Sequence, residues 1–558
     1  MNLTEYLFHR LRELGVGHTF GIPGDFVLPV YAIQEELGFP TVVCCHEPGV
    51  GFAADAYARI RGLGVALVTY GPGALNTVNP VACAYAEQSP LLIVSGGPEM
   101  SFRRGPTEVH LHHVVKNYES QLRVYREVTV DAAILSDPTS APRTIDRVLR
   151  NVVRRKRPGY LEIPRDQVRA EVAEPERPLD LAMSEASQES LAGALDEVVS
   201  EIGAMLAAAR QPALYVGVGV RRHGLTDPII RLAERLRLPV ATDVLGKAAF
   251  PESHPQFAGV YAGALGSPVA RELLDGSDCV LGIGVVRTDL GTGFWTEKIK
   301  IGSRILVEPE GVRVRHHRFE RLPIGAVVSA LLQRLPPSQR AVPSFRHEPQ
   351  EATPPKGGAA PDGSASTGLK AAEIIQAVSE LEQARYSFTA DVGDSWFIGL
   401  ELRTDVFLAA GYYASMGFAV PGALGAGVAD PSRRPFALVG DGAFQMTGTE
   451  LATMVDYGLR PIVLLLNNAG YGMLEAIDRP ASYYNRRSWD YPAMARALGA
   501  AAERAETLQE LRLALQRAEQ SDRAYLIEAV VAREDFSPVL IRIRDHLQAA
   551  RRSASLGS

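Results

Sequence analysis

Short apolar runs bounded by turn residues alternate with longer stretches of helical period along most of this chain. Residues 1–175 read as a helix near 3–15, strands at His18–Gly21 and Thr41–Cys45, a second helix, then strands at Val65–Tyr70 and Leu91–Ser95. Apolar strands alternating with helices predict a parallel sheet covered on both faces. The same grammar returns in residues 190–340, with a strand at Ala213–Val218, a helix at Leu225–Leu238 and a strand at Cys279–Ile283. It returns once more in residues 369–545, with strands near Ser387–Asp391, Arg434–Val439, Pro461–Asn467 and Ala524–Val531. The expected fold class is α/β, with three domains, each a parallel sheet flanked by helices.

Between them, residues 341–368 shift to Pro, Gly, Ser, Ala and charge. Such a stretch cannot bury enough apolar surface to offset its ordering entropy, so it reads as a linker. The small, polar end, 546–558, reads as a frayed tail. The 558 residues exceed what one hydrophobic core supports, and 46% hydrophobic with 22% charged residues is an ordinary globular balance.

A net charge of −6, from 64 acidic and 58 basic residues, leaves no basic face on the scale that collects phosphate backbones, so no nucleic-acid partner is expected. Cys44, Cys45, Cys83 and Cys279 have neither zinc-knuckle spacing nor disulfide density and read as small buried residues. Met1–Glu5 lacks a signal-peptide layout and no apolar run is long enough to span a bilayer. A cytoplasmic protein without a membrane partner is the expectation.

Candidate chemistry concentrates in the third domain. The strand Phe436–Val439 runs into Gly440-Asp441-Gly442, and a helix follows. Glycines flanking an aspartate at the carboxyl end of a parallel strand let the backbone approach a phosphate while the carboxylate holds a hard cation. Alone, the triplet is equally explained by a tight turn. The next strand, however, ends in Asn467-Asn468-Ala469-Gly470, so neighbouring strand ends bring the Asp441 carboxylate and the Asn468 amide to one point. A carbonyl from Gly470 and diphosphate oxygens would complete a magnesium octahedron.

This paired signature resembles that of thiamine-diphosphate-dependent enzymes, and the chain from about residue 3 to 545 is similar to their three-domain 2-oxo acid decarboxylase branch. The resemblance implies that the first domain receives the cofactor's aminopyrimidine and the third its diphosphate, cradled by Gly440, Asp441, Gly442 and Ala443. It implies thiamine diphosphate and Mg2+ as cofactors, and a homodimer or homotetramer with the active site at the subunit interface. Glu47, in His46-Glu47-Pro48-Gly49 after a strand, matches the glutamate that activates the cofactor, although a first-turn glutamate is common for helix-dipole reasons. Met416 matches the apolar prop that bends the cofactor, and Ala414 the carbonyl that meets its amino group. Gly71, in a Gly-rich turn, and Asp394 match further cofactor-binding positions. Gly217-Val218-Gly219 hints at a dinucleotide turn but reads as structural.

Asp25, His112 and His113 look like the proton relay of the non-oxidative decarboxylases, with His110 a poorer match. Titratable groups held together take separated pKa values, so one donates while another accepts. The expected activity is decarboxylation of a small-molecule 2-oxo acid to an aldehyde and CO2 through a thiamine-bound enamine. Leu474 stands where many pyruvate decarboxylases carry a glutamate, and Glu475 would point about 100° away on a helix. That favours an aromatic or long aliphatic substrate such as phenylpyruvate or indolepyruvate. Two alternatives stay open: an acetolactate-synthase-like carboligase and a non-catalytic regulatory family member.

Overall fold

The computed structural model describes residues 1–104, 110–181, 185–341, 343–345 and 368–556. The stretch expected to be a linker therefore lies almost wholly outside the described residues. Three sheets are present. The first contains β1 (Thr19–Gly21), β2 (Thr41–Val43), β3 (Gly64–Val68), β4 (Leu91–Gly97), β5 (Asp131–Ile134) and β6 (Gly159–Pro164). The second contains β7 (Pro212–Val216), β8 (Val240–Asp243), β9 (Phe257–Tyr261), β10 (Cys279–Ile283), β11 (Arg304–Glu308), β12 (Gly311–Val314) and β13 (His317–Glu320). The third contains β14 (Tyr386–Ala390), β15 (Phe407–Ala409), β16 (Arg434–Gly440), β17 (Ile462–Asn467), β18 (Ala501–Ala505) and β19 (Tyr525–Val530).

The first sheet is ordered β2-β1-β3-β4-β6-β5 and the third β15-β14-β16-β17-β19-β18, the same permutation, with every pair parallel. The inner strands are buried on both faces, which is why β3 and the first residues of β4 and β17 read as apolar runs. The central sheet, β13-β12-β11-β10-β7-β8-β9, is parallel over five strands and ends in an antiparallel hairpin, β11-β12-β13. At its crossover point the Gly217 N–H donates to the Ile283 carbonyl and the Gly219 N–H to that of Gly284. A Cβ on Gly217 would fall 2.2 Å from the Gly284 oxygen, so this glycine turn packs two loops together and its amides are already used.

The first and third domains share one hydrophobic core, in which Ala53, Ala54 and Tyr57 meet Ala419, Val420 and Leu424. The helix Glu47–Arg61 lies so close on the helix Ala419–Ala429 that a Cβ on Gly425 would sit 2.0 Å from the Ala53 carbonyl oxygen. Buried Arg59, paired with Asp55 one helical turn earlier, donates to the Ala409 carbonyl and ties the same two domains.

Two expectations are corrected. The chain from 546 is not frayed from its start: a helix runs Pro538–Leu556, anchored by buried Val539, Leu540 and Ile543 and by Leu547 packed against them. Cys44, Cys83 and Cys279 are buried, but Cys45 is exposed, because it follows an edge strand at the surface. Among the described residues no helix is long and apolar enough to cross a membrane.

Candidate active site

In the third domain, Asp441 opens the helix Asp441–Thr447 directly after β16, where the exposed amides of a helix start favour a carboxylate. It is 1% exposed, and its Oδ2 has no hydrogen-bond partner. Burial pushes its pKa up to about 6, although the Gly442 and Gly470 amides pull the other way. Gly440 stands opposite Leu466 on β17, so the turn Asn468–Gly470 emerges beside Asp441. The Gly470 N–H donates to Asn468 Oδ1 at 3.2 Å, and Ala469 takes a left-handed φ of 57° to make that turn.

The two asparagines divide their work. Asn467 is tied inward: its Nδ2 donates to buried Glu528, and its Oδ1 accepts from the Ala469 amide and the Ser488 hydroxyl. Asn468 is half-buried in the same turn, whose Gly470 amide reaches Asp441. A buried carboxylate oxygen without a partner, beside a neutral amide oxygen, is a donor set suited to a hard divalent cation such as Mg2+. Ala443 is buried in the first turn of the same helix, and nothing stands within 4 Å of a Cβ built on Gly440.

The neighbouring loop is held by carboxylates the sequence did not single out. Asp391, fully buried, accepts the backbone N–H groups of Gly417 and Ala419, and burial pushes its pKa up to about 6. This fixes the bend in which Ala414 (φ 60°) is exposed and Met416 packs partly into the shared core. Glu87 of the first domain, also buried, accepts from the Tyr412 and Tyr413 amides on the same loop. Asp394 starts the helix Asp394–Glu401; its Oδ2 accepts the Ser537 N–H, its Oδ1 has no partner, and burial pushes its pKa up to about 6.

In the first domain, Asp25, His112 and His113 come together although 87 residues separate the aspartate from His112. One ligating atom from each lies within 4.8 Å of the others. His112 Nε2 is 2.7 Å from Asp25 Oδ2, whereas His113 Nδ1 is 3.8 Å from Oδ1 and stays buried without a hydrogen bond. Burial acts to raise the Asp25 pKa, but the His112 hydrogen bond, the His113 charge and the Phe26 amide together hold it below its usual value. The two imidazoles pack edge to face with centroids 4.6 Å apart, against Phe26. His113 takes a left-handed φ of 68°, and a Cβ on Gly71 would fall 2.6 Å from its carbonyl oxygen, so glycine is required there. His110 is exposed and outside this group.

Glu47 begins the helix Glu47–Arg61 after the extended His46. Its Oε2 accepts from Asn76 Nδ2 at 2.9 Å. The start of that helix is held from the third domain: buried Glu450 accepts the Cys45 N–H at 3.1 Å and the His46 N–H at 3.2 Å. Burial raises the pKa of Glu450. Among the described residues no hydrogen bond or ion pair joins Glu47 to Asp441 or Asn468 within one chain. Leu474 lies 43% exposed on the helix Gly472–Ile477, and Glu475 is engaged with Arg533.

Glu450, Asp391, Glu87, Asn76 and Glu528 escaped the sequence reading. Only the Thr449-Glu450 step at the start of the second helix after the metal motif offered a local signal, and it reads equally as a first-turn acid.

Comparison with known proteins agrees in all three domains. The model for the thiamine pyrophosphate enzyme N-terminal TPP binding domain matches residues 1–121, that for the central domain 199–335, and that for the C-terminal TPP binding domain 391–529. The chain is 37% identical to an indole-3-pyruvate decarboxylase of Azospirillum brasilense, over 97% of each chain. It is 33% identical to an alpha-keto-acid decarboxylase of Mycolicibacterium paratuberculosis, over 97% of this chain and 95% of the other. A pyruvate decarboxylase of Neurospora crassa is 29% identical, over 98% and 96%.

Proposed function

Because the chain belongs to the thiamine-pyrophosphate-dependent 2-oxo acid decarboxylases, we propose that it converts an aromatic or long aliphatic 2-oxo acid to CO2 and the aldehyde one carbon shorter. The observation that carries this over a carboligase reading is the Asp25–His112–His113 group, three titratable side chains with converging atoms beside the Gly71 turn. A carboligase must keep the carbanion for a second carbonyl compound, whereas aldehyde release needs a proton delivered to that carbon. Ionised Asp25 fixes His112 through Nε2, and the unpartnered Nδ1 of His113 is free to take or give a proton.

Asp441 and Asn468, with the Gly470 carbonyl, would hold Mg2+, and Gly440, Gly442 and Ala443 would flank a diphosphate. Thiamine diphosphate bound there supplies a nucleophilic carbon and an electron sink for loss of the carboxylate. Met416 and Ala414 would support its bend, Asp394 and Gly71 would border it, and Glu47 would hold a proton on its pyrimidine side. Retention of these groups speaks against a non-catalytic regulatory chain.

Among the described residues no hydrogen bond or ion pair joins Glu47 to Asp441 or Asn468 within one chain, and we place the site between two copies, in a homodimer or homotetramer. Support comes from large apolar side chains left exposed on the segments that carry the site: Tyr412, Tyr413, Met446 and Trp489. The aromatic preference rests on Leu474 and on Glu475 being engaged by Arg533, which leaves the helix Gly472–Ile477 without a free carboxylate.

The test is turnover of phenylpyruvate, indolepyruvate, a branched-chain 2-oxo acid and pyruvate by protein loaded with cofactor and magnesium. Aldehyde release with aromatic substrates ahead of pyruvate is expected. A strong preference for pyruvate would overturn the substrate assignment, and acyloin as sole product would overturn the reaction.

A further inference from the structure

The central domain carries chemistry that this reaction does not use. The helix Pro268–Gly276 covers one face of the central sheet, where Ala270 and Leu274 pack on Ala213, Tyr215, Ala241 and Val280. That cover runs out beyond β10. In the parallel register Val280 stands beside Arg304 and Gly282 beside Leu306, so the same face continues onto β11 with arginine where the helix has ended. The opposite face of the hairpin is apolar: Ile305, Val307, Val312 and Val314 all belong to the domain core.

Beyond the reach of that helix the hairpin sets like charges against each other. Arg313 pairs directly with Arg318 across the β12–β13 ladder, and the Arg315 amide donates to the Arg304 carbonyl. Like charges directly opposite each other destabilise a sheet. Arg315 also adopts a left-handed φ of 54°, a conformation that glycine or asparagine takes at lower cost. These arginines, with Arg287 and His316, surround a cavity of about 360 Å³ floored by Leu306 and bordered by Ile301.

The compensating charge is incomplete. Glu297 serves both Arg287 and Arg304, while Glu308 and Glu320 stand 3.8 Å from Arg313 and 3.5 Å from Arg318. Among the described residues Arg315 has no carboxylate partner. Repulsion of this kind is relieved when an anion bridges the guanidinium forks, whose geometry matches phosphate oxygens.

We propose that this concave arginine face is a binding site for a small anion carrying two or more adjacent phosphoryl groups. The volume falls within the range of small-molecule sites, and the net negative charge of the whole chain disfavours nucleic acid as the occupant. The site shares no residue with the cofactor site proposed above and is independent of it.

The test uses full-length protein saturated with thiamine diphosphate and magnesium, titrated calorimetrically with inorganic tripolyphosphate at matched ionic strength. One tripolyphosphate per subunit is expected, bound at least tenfold more weakly by the double variant Arg313→Ala, Arg318→Ala. That variant should decarboxylate at the wild-type rate. Without the anion it should melt no lower than wild type, because the substitutions remove a repulsion; with the anion only wild type should gain. No binding beyond that of sodium chloride, equal binding by the variant, or tighter binding of a short DNA duplex would overturn the proposal. A change in oligomeric mass with unaltered anion binding would do the same, since it would assign the face to a subunit contact.

Discussion

In the first domain the segments after β1, β2 and β3 carry Asp25, Glu47 and Gly71; in the third, the segments after the equivalent strands β14, β15 and β16 carry Asp394, Met416 and Asp441. Identical strand order thus puts functional side chains at corresponding strand ends, as expected for open parallel sheets. The environments differ. His112 and Asp25 are 60% and 43% exposed, while Asp441 is 1% exposed. Asp25, His112 and His113 hold one another side chain to side chain, whereas the third-domain loop 412–419 is pinned by buried carboxylates on backbone amides. In the proposed reading topology fixes where the site forms, and burial separates the group that holds the cation from the groups that move protons.

The largest effect should come from the buried side. Asp441→Asn removes the one anionic ligand of the proposed magnesium site, and magnesium-dependent cofactor affinity should fall by more than about 100-fold, since even outer-shell partners are worth roughly 10–100-fold. Titration of cofactor fluorescence quenching measures it, and unchanged affinity would break the division of labour. Next, His113→Ala or Asp25→Asn should lower kcat by about 10²–10⁴, the usual worth of a general acid–base group, with cofactor affinity preserved. Loss of affinity together with rate would erase the distinction between the two regions.

How far each region could be read beforehand follows the same division. The Asp441 and Asn468 pair was legible because both follow apolar strands closely in sequence. That Asn467 is tied inward, leaving Asn468 as the proposed ligand, was decided only by Glu528, a residue 61 positions from Asn467. The approach of Asp25 to the histidines was available through family resemblance and not from spacing. Asp391 was invisible, and Glu450 read only as a first-turn acid, because a buried carboxylate that accepts backbone amides leaves no pattern of its own. The antiparallel hairpin of the central sheet and the helical continuation to Leu556 were likewise decided by tertiary packing.

Smaller effects sharpen the comparison at its seam. Glu450→Ala strands the Cys45 and His46 amides, at a cost of about 1–3 kcal/mol. We expect a lower melting temperature and a reduced kcat with little change in cofactor affinity, because the third domain would no longer hold the start of the Glu47 helix. A fall in affinity with kcat intact would contradict that role.

The smallest effect concerns Glu162, buried beside Arg103 and hydrogen-bonded by Tyr160; burial pushes its pKa from 4.5 up to about 7. A carboxyl raised in the fold binds its proton more tightly there than when unfolded. Its contribution is therefore full below about pH 4.5 and is lost as the pH rises to about 7. The melting temperature of Glu162→Gln should gain on wild type across that window, and a gap that stays flat with pH would refute the linkage.

In the proposed mechanism Glu47, reaching from the first domain, makes the cofactor held by the third domain reactive. Deuterium exchange at the thiazolium carbon of bound cofactor, followed by NMR, reads this before any substrate is added. The account predicts that Glu47→Gln slows exchange by about 10²–10⁴ while the cofactor stays bound. Exchange at the wild-type rate in the cofactor-loaded variant would contradict it.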